Sequence, residues 1–469
     1  MPVSTSPTRW QKGAPVGSVV EPGSDKIAAL SRSARHGTHS LSTEWLEKYQ
    51  QVRNQTTELV AGLAPEDQMV QSMPDASPSK WHLAHTTWFF ETFVLAPHLT
   101  KYISYDERFH FLFNSYYKRL GHHPDRATRG TFSRPRLDEV HAYRAYVDDN
   151  IHELLGRGTS SEVRRLLELG LNHEQQHQEL IVTDIKHAFW LNPLRPSYQP
   201  AKSNVEGTTE TAERAPLTRS WCCFDGGIHQ MGHDNCGFAF DNELPRHAVF
   251  IEPFCIASRL VTNGEYLAFM SDGGYHRPEL WLSDAWDHVC RNSWTAPLYW
   301  EPAGNGWTQF TCGGTVPLNP AEPVCHVSFY EADAFARWAG MRLPTEFEWE
   351  IAGESLKNDE MAVANLLESS TYHPRPPLGG STSHNGMHQL FGDTWEWTSS
   401  PYTAYPGYRP PAGAEGEYNG KFMCNQMVLR GGSCATPRSH IRKSYRNFFP
   451  PQTRWQFSGI RLAHDGARA

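Results

Sequence analysis

LNHEQQHQELIVTDI, residues 171–185, places His173 and His177 four positions apart. No Gly or Pro interrupts Leu171 to Phe189, and Leu166, Leu167, Leu169, Leu180 and Ile181 supply apolar residues around the pair, which predicts a helix. On a helix both imidazoles project from one face on successive turns, the spacing that lets two nitrogens grip one metal ion. The same HxxxH pattern also describes two histidines on a polar helix face. A third histidine in matching context would separate the two readings.

That third histidine is offered by WHLAHTTWFFE, residues 81–91, where His82 and His85 stand three apart on a second expected helix. Either could meet the first pair across a bundle. Two further helices are expected. One runs over TEWLEKYQQVRNQTTELVAGL, capped by Ser42 or Thr43 and ended by Gly62 and Pro65. The other covers residues 136–157, with Val140, Tyr143, Val147, Ile151 and Leu154 or Leu155 on one stripe. Four long helices with a metal site built from facing side chains is bundle architecture.

Three neutral nitrogens leave positions open on an octahedral ion, and imidazole suits Zn, Fe, Cu or Ni better than Mg or Ca. A tetrahedral zinc site with a water is equally compatible with three histidines. Glu174 and Glu179 could ligate or could orient an imidazole. Glu179 points about 200° away from His177 on an ideal helix, which disfavours direct ligation.

The remainder bounds the protein class. At 469 residues the chain is long enough for two or three domains. A net charge of −8 with no basic block excludes nucleic acid as a main partner. No apolar run approaches the length of a membrane span, so a soluble cytoplasmic protein is expected. All nine cysteines lie between Cys222 and Cys434; their odd number and irregular spacing predict reduced thiols. Residues 1–40 read as a disordered tail, 41–195 as the helical bundle, 196–220 as a linker rich in Pro, Thr, Glu and Ala, and 221–469 as an irregular α+β domain with one clear helix near Tyr330–Ala339.

Several loops carry chemistry-bearing residues. NSYYKRLGHHPDRATRGTFSRP (114–135) pairs Tyr116 with Tyr117 ahead of Arg119, Arg126, Arg129 and Arg134. A tyrosine near an oxidising metal can donate a proton, and arginines can fork onto a substrate carboxylate. In MRLPTEFEWEIAG (341–353) and FGDTWEWTSSPY (391–402), acidic residues alternate with tryptophans, Trp395 among them. Asp393, Glu396 and nearby carbonyls could hold a structural Ca2+, a buried hydrogen-bonded acid being the other reading. Asn447 precedes Phe448 and Phe449, an amide in an aromatic setting suited to a zwitterion with a quaternary ammonium group.

WHLAHTTWFFE, NSYY, HEQQHQE, the LPTEFEWE block, GDTWEWTSSPY, EYNGKFMCNQ, RGGSCATP and YRNFFPPQTRWQFSGIRLA together resemble the ergothioneine-pathway sulfoxide synthases, from about residue 42 to 465. Those are non-haem iron enzymes that use dioxygen to join a thiol to the imidazole C2 of hercynine (trimethylhistidine). The resemblance implies a DinB-like four-helix bundle followed by a formylglycine-generating-enzyme-like (C-type-lectin-like) α+β domain, with the active site in a tunnel between them. It implies Fe(II) on His85, His173 and His177, and so selects His85 over His82, which spacing alone does not. Tyr116 and Tyr117 match the tyrosine pair of the branch that accepts free cysteine, and Asn447 matches an asparagine that contacts hercynine. Where the γ-glutamylcysteine branch has Asp and Arg, this chain has Phe449 and Thr453, which argues against that donor; Arg126 and Arg129 keep the spacing of that branch's donor-binding arginine pair. Only Cys434 stands where formylglycine-generating enzymes have a copper-binding pair, which disfavours that activity. A selenoneine synthase, joining a selenosugar to hercynine, is the alternative within the family, because NSYYK departs at Lys118 from the usual NSYYN. A zinc-dependent DinB-like hydrolase or thiol transferase is the alternative outside it. The donor and the oligomeric state are left open.

Overall fold

The structure, a computed structural model, describes residues 24–199, 217–355, 361–377 and 386–466, with side chains from Ser42 onward. Of the tail reading for residues 1–40, residues 1–23 fall outside the described residues, as does most of the linker reading, residues 200–216. Residues 24–40 instead lie in a helix, Ser24–Val60, so Ser42 and Thr43 are inside it and do not cap it.

Among the described residues six α-helices make the N-terminal part: α1 (Ser24–Val60), α2 (Ser79–Phe89), the short α3 (Ala96–His98) and α4 (Arg108–Leu112), α5 (Leu137–Gly156) and α6 (Ser161–Leu191). The four long ones pack as a bundle, α1 and α2 each against both α5 and α6. Two of the starts have a local cause. Pro78 leads into α2 with extended backbone. The Ser160 hydroxyl accepts from Val163 N at 3.2 Å and caps α6. A π-helical turn, Phe90–Leu95, follows α2 and carries Glu91 inward, where Tyr143 and Tyr102 donate to it at 2.5 and 2.7 Å. Gly170 lets that turn approach α6, because a Cβ there would lie 2.5 Å from the Phe90 ring.

A buried charged network pins the four helices together. Glu174 on α6 accepts from Arg53 of α1 at 3.0 Å and from Arg144 of α5 at 2.6 Å, and Arg53 also reaches Thr87 of α2 at 3.2 Å. Both carboxylate oxygens are thereby taken, so Glu174 is not available as a metal ligand.

The C-terminal part is α+β. Its helices are α7 (Asn263–Ser271), α8 (Ser283–Asn292), α9 (Phe329–Trp338) and α10 (Glu346–Glu354). The strands are β1 (Trp221–Phe224), β2 (Gly227–Met231), β3 (His247–Ile251), β4 (Phe254–Ala257), β5 (Trp300–Ala303), β6 (Gly306–Thr311), β7 (Gly314–Pro317), β8 (Trp395–Pro401), β9 (Met427–Arg430), β10 (Asn447–Phe449), β11 (Ser458–Gly459) and β12 (Ala463–Asp465). They form sheets ordered β1-β4-β12, β2-β3, β5-β6-β7 and β10-β9-β8-β11, the last with β11 parallel to β8 and its other pairs antiparallel. Three helices open on the same capping box, Thr262 with Glu265, Ser328 with Glu331 and Thr345 with Glu348.

Two sequence expectations are corrected here. Cys223 and Cys255 face each other in the antiparallel register of β1 and β4 and form a disulfide, so the thiols are not all reduced. Strand register, which spacing along the chain does not reveal, brings them together. The acids considered for calcium are occupied by N–H donors. Asp393 accepts from Asn365 at 2.7 Å, Arg375 N at 2.9 Å and Gln389 at 3.1 Å, and Glu396 accepts from Trp349 and from both arms of Arg461 at 2.8 Å. They are hydrogen-bonded structural acids. Among the described residues no helix is long and apolar enough to cross a membrane.

Candidate metal centre

α6 runs along the junction of the two parts and presents polar residues to each. Toward the C-terminal part, Glu179 accepts from Trp395 Nε1 at 2.7 Å, Ser433 Oγ at 2.6 Å and Thr436 Oγ1 at 2.6 Å. Gln175 bonds Ser439 and Gln176 bonds Tyr445, each at 2.6 Å. Glu179 therefore fastens the two parts together and does not ligate or orient the histidines. The resulting junction encloses a cavity of about 510 Å³.

On the bundle side of this cavity, ring nitrogens of His85, His173 and His177 lie within 4.8 Å of one another. His85 comes from α2, the other two from successive turns of α6. His173 Nε2 and His177 Nε2 are 3.0 Å apart. His85 Nδ1 donates to the Phe113 carbonyl at 2.6 Å, which leaves its Nε2 as a lone pair; that atom is buried without a partner, as is His173 Nδ1. Burial is the largest influence on all three rings and favours the neutral form: it takes His173 down to about 3 and holds His85 and His177 well below the ordinary value. Three neutral imidazoles at this separation fit a borderline divalent ion such as iron or zinc.

His82 is also buried here, without joining the triad. Its Nδ1 lies 2.7 Å from His177 Nδ1 and its Nε2 lies 3.1 Å from Asp184 Oδ2, which also accepts from Ser77 N at 2.8 Å.

The cavity wall gathers most of the other residues singled out in the sequence: Tyr116, Arg126, Arg129, Trp395, Asn447, Phe448 and Phe449. Tyr117, Lys118, Arg119 and Arg134 are not on it. The Tyr117 ring stacks on Tyr116 at 4.6 Å but is fully buried behind it, against Trp88 and Phe93, and does not line the cavity. The Lys118 side chain is exposed and also off the wall; its backbone N–H and that of Arg119 donate to Glu417 at 3.0 Å, docking the tyrosine loop on the C-terminal part.

Arg129 is 7% exposed, its guanidinium lies 3.4 Å over the Trp81 ring, and it donates to Ser77 Oγ at 2.9 Å. Among the described residues no carboxylate pairs with it. Burial first, then Arg126, pull it down to about 9, so it is still a cation at neutral pH and is poised for an anion. Phe448 stacks on Tyr402 at 4.0 Å and Phe449 meets Trp455 edge-on at 5.5 Å, giving aromatic faces beside Asn447.

Several wall residues were not singled out from the sequence: Gln176, Tyr418, Gln426, His440 and Gln456. Tyr418 lies edge-on to His173 at 5.7 Å and donates to Gln176 Oε1. The Gln426 and Gln456 side-chain oxygens are buried without a donor. All but His440 stand inside quoted motifs: Gln176 in HEQQHQE, Tyr418 and Gln426 in EYNGKFMCNQ, and Gln456 in YRNFFPPQTRWQFSGIRLA.

The model of the sulfatase-modifying factor enzyme 1-like domain family matches residues 206–466. Over 63% of its length the chain is 34% identical to the Hercynine oxygenase of Mycolicibacterium thermoresistibile, covering 68% of that protein. It is 35% identical to the protein of that name in Mycolicibacterium smegmatis, over 63% of this chain and 71% of that one. It is 26% identical to Ergothioneine biosynthesis protein 1 of Schizosaccharomyces pombe, over 54% of this chain but 32% of that one.

Proposed function

The chain belongs to the hercynine oxygenase family, with a sulfatase-modifying factor enzyme 1-like domain as its C-terminal part, and on that premise we propose that it is an iron(II)-dependent oxidoreductase of the ergothioneine pathway. The reaction joins the imidazole C2 of hercynine to the sulfur of a thiol donor, with cysteine as the first choice. It balances as C2–H plus RSH plus O2 giving the C2–S(=O)R sulfoxide plus water: the C–H and S–H bonds break, C–S and S–O form, and dioxygen takes four electrons. The observation that carries this reading is the neutral His85, His173, His177 triad on the wall of a cavity that also holds a buried arginine without a carboxylate.

DinB-like architecture for the bundle belongs to the same reading. Iron held by the three imidazoles supplies the one-electron route by which dioxygen reacts with a closed-shell thiol. The protein's own residues bind and orient. Arg129, assisted by Arg126, takes a substrate carboxylate as a charge-assisted pair. Asn447 Oδ1 accepts from Phe448 N at 2.9 Å, which leaves its amide N–H groups for substrate, while Phe448 and Phe449 offer faces to the trimethylammonium group. The Tyr116 hydroxyl, pushed up by burial, is protonated at neutral pH and serves as the proton donor. Trp395 closes the wall beside Glu179.

A selenosugar donor is the second reading: the donorless oxygens of Gln426 and Gln456 can accept from sugar hydroxyls, and equally from an amino group. Product mass spectrometry with iron, oxygen and hercynine, offering cysteine, γ-glutamylcysteine and a selenosugar in parallel, separates the donors; no C2-linked product from any of them would refute the function. His173→Ala should lose iron and turnover together, and full anaerobic iron occupancy in that variant would refute the ligand assignment.

A further inference from the structure

His82 and Asp184 lie outside the triad but form a continuous buried chain to it. Asp184 and His177 stand seven apart on one face of α6, and His82 of α2 is inserted between them, all three no more than 8% exposed. The proton positions along the chain follow from donor and acceptor chemistry. Asp184 Oδ2 is an acceptor, already receiving Ser77 N–H at 2.8 Å, so the His82 Nε2 that approaches it at 3.1 Å carries a hydrogen. In a neutral His82, Nδ1 is then a lone pair. The His177 Nδ1 that faces it at 2.7 Å must therefore be the donor. This leaves the lone pair of His177 on Nε2, the atom 3.0 Å from His173 Nε2.

We propose that Asp184 and His82 are positioning residues that act through this hydrogen-bond chain to hold His177 in the one tautomer able to ligate the metal. The opposite order of protons would turn an N–H toward the ion and block it. His85 is set in the equivalent state by a different device, the Phe113 carbonyl at 2.6 Å. The bundle thus specifies two of its three ligands by separate means, one through the backbone and one through a carboxylate and a relay imidazole. Groups of this kind raise ligand basicity as well as fixing ring orientation, and their removal costs about 10- to 100-fold in metal affinity.

The inference rests on the metal reading of the triad, and its test is independent of turnover. The full chain, stripped of metal, is titrated anaerobically with Fe(II) against a competing chelator, and with Co(II), whose visible absorption reports ligand number and geometry. His82→Phe should bind about 10- to 100-fold more weakly with an altered Co(II) spectrum. His82→Asn, whose amide oxygen can stand near the place of Nδ1 and accept from His177, should restore affinity to within about 3-fold of the parent and recover its spectrum. If His82→Phe does not fold, Asp184→Leu serves in its place, with the same loss expected. Parent affinity and spectrum in His82→Phe or Asp184→Leu overturn the relay, as does His82→Asn being as weak as His82→Phe, since packing alone would then account for the loss. Failure of the parent chain itself to bind either ion overturns the metal reading and the relay together.

Discussion

Glu174→Gln removes one charge from the bundle while preserving shape, and its cost can be worked from the surroundings. Burial raises the carboxyl, but Arg144 and then Arg53 more than offset this and hold it at about 2, against an ordinary 4.5. The difference of about 2.5 units corresponds to about 3 kcal/mol favouring the ionised form in the folded protein. Leaving two guanidiniums without their shared carboxylate predicts about 3–5 kcal/mol by an independent route. The sign with pH is fixed: a carboxyl depressed on folding contributes fully above about 4.5, and the contribution fades as pH falls through about 2. Urea unfolding of the metal-free protein, followed by tryptophan fluorescence, should place the variant about 3 kcal/mol below the parent at pH 7, with the gap closing below pH 4.5. A gap under about 1 kcal/mol at pH 7, or one that does not close in acid, would refute the claim that this carboxylate locks four helices.

Tyr116→Phe should divert oxygen to simple thiol oxidation, whereas Tyr117→Phe should leave the product ratio unchanged; an equal shift in both would contradict their placement on and behind the cavity wall. Arg129→Met should raise the KM of the carboxylate-bearing substrate by about 10- to 100-fold with a smaller effect on kcat, since a charged hydrogen bond contributes about 1.5–3 kcal/mol. An unchanged KM would assign the carboxylate elsewhere. His173 is depressed from 6.5 to about 3, so between those values the unfolded chain binds the extra proton; metal-free stability should fall as pH drops from about 6.5 toward 3, and a His173→Phe variant should lose part of that slope.

The pairing of His173 with His177 on α6 is legible because a helix has only one way to present residues four apart. His82 and His85 were not separable in the same way, since both point inward and one serves the other's site from behind. Tyr116 and Tyr117 look equivalent in sequence and differ only once the loop is stacked against Trp88 and Phe93. The angular separation of Glu179 from His177 disfavours it as a ligand, but its partners Trp395, Ser433 and Thr436 lie more than two hundred residues away. The helices α7, α8 and α10 are not read from apolar periodicity although α9, equally short, is; capping boxes at Thr262 and Thr345 announce two of them. The Cys223–Cys255 bond depends on strand register.

All three histidines of the candidate metal centre belong to the bundle, whereas Asn447, Phe448, Phe449, Gln426, Gln456 and Trp395 belong to the other part. The metal reading thus rests on one part of the chain, whereas the cavity wall around it is shared by both parts. On the proposed function, substitutions in the loop after β10, at Thr453 or Gln456, should retune which donor is accepted while the histidine triad and its four-helix cradle stay as they are. A library confined to residues 450–456 spares the hercynine-facing Asn447, Phe448 and Phe449 and leaves alone α2 and α6, the two helices that carry the triad.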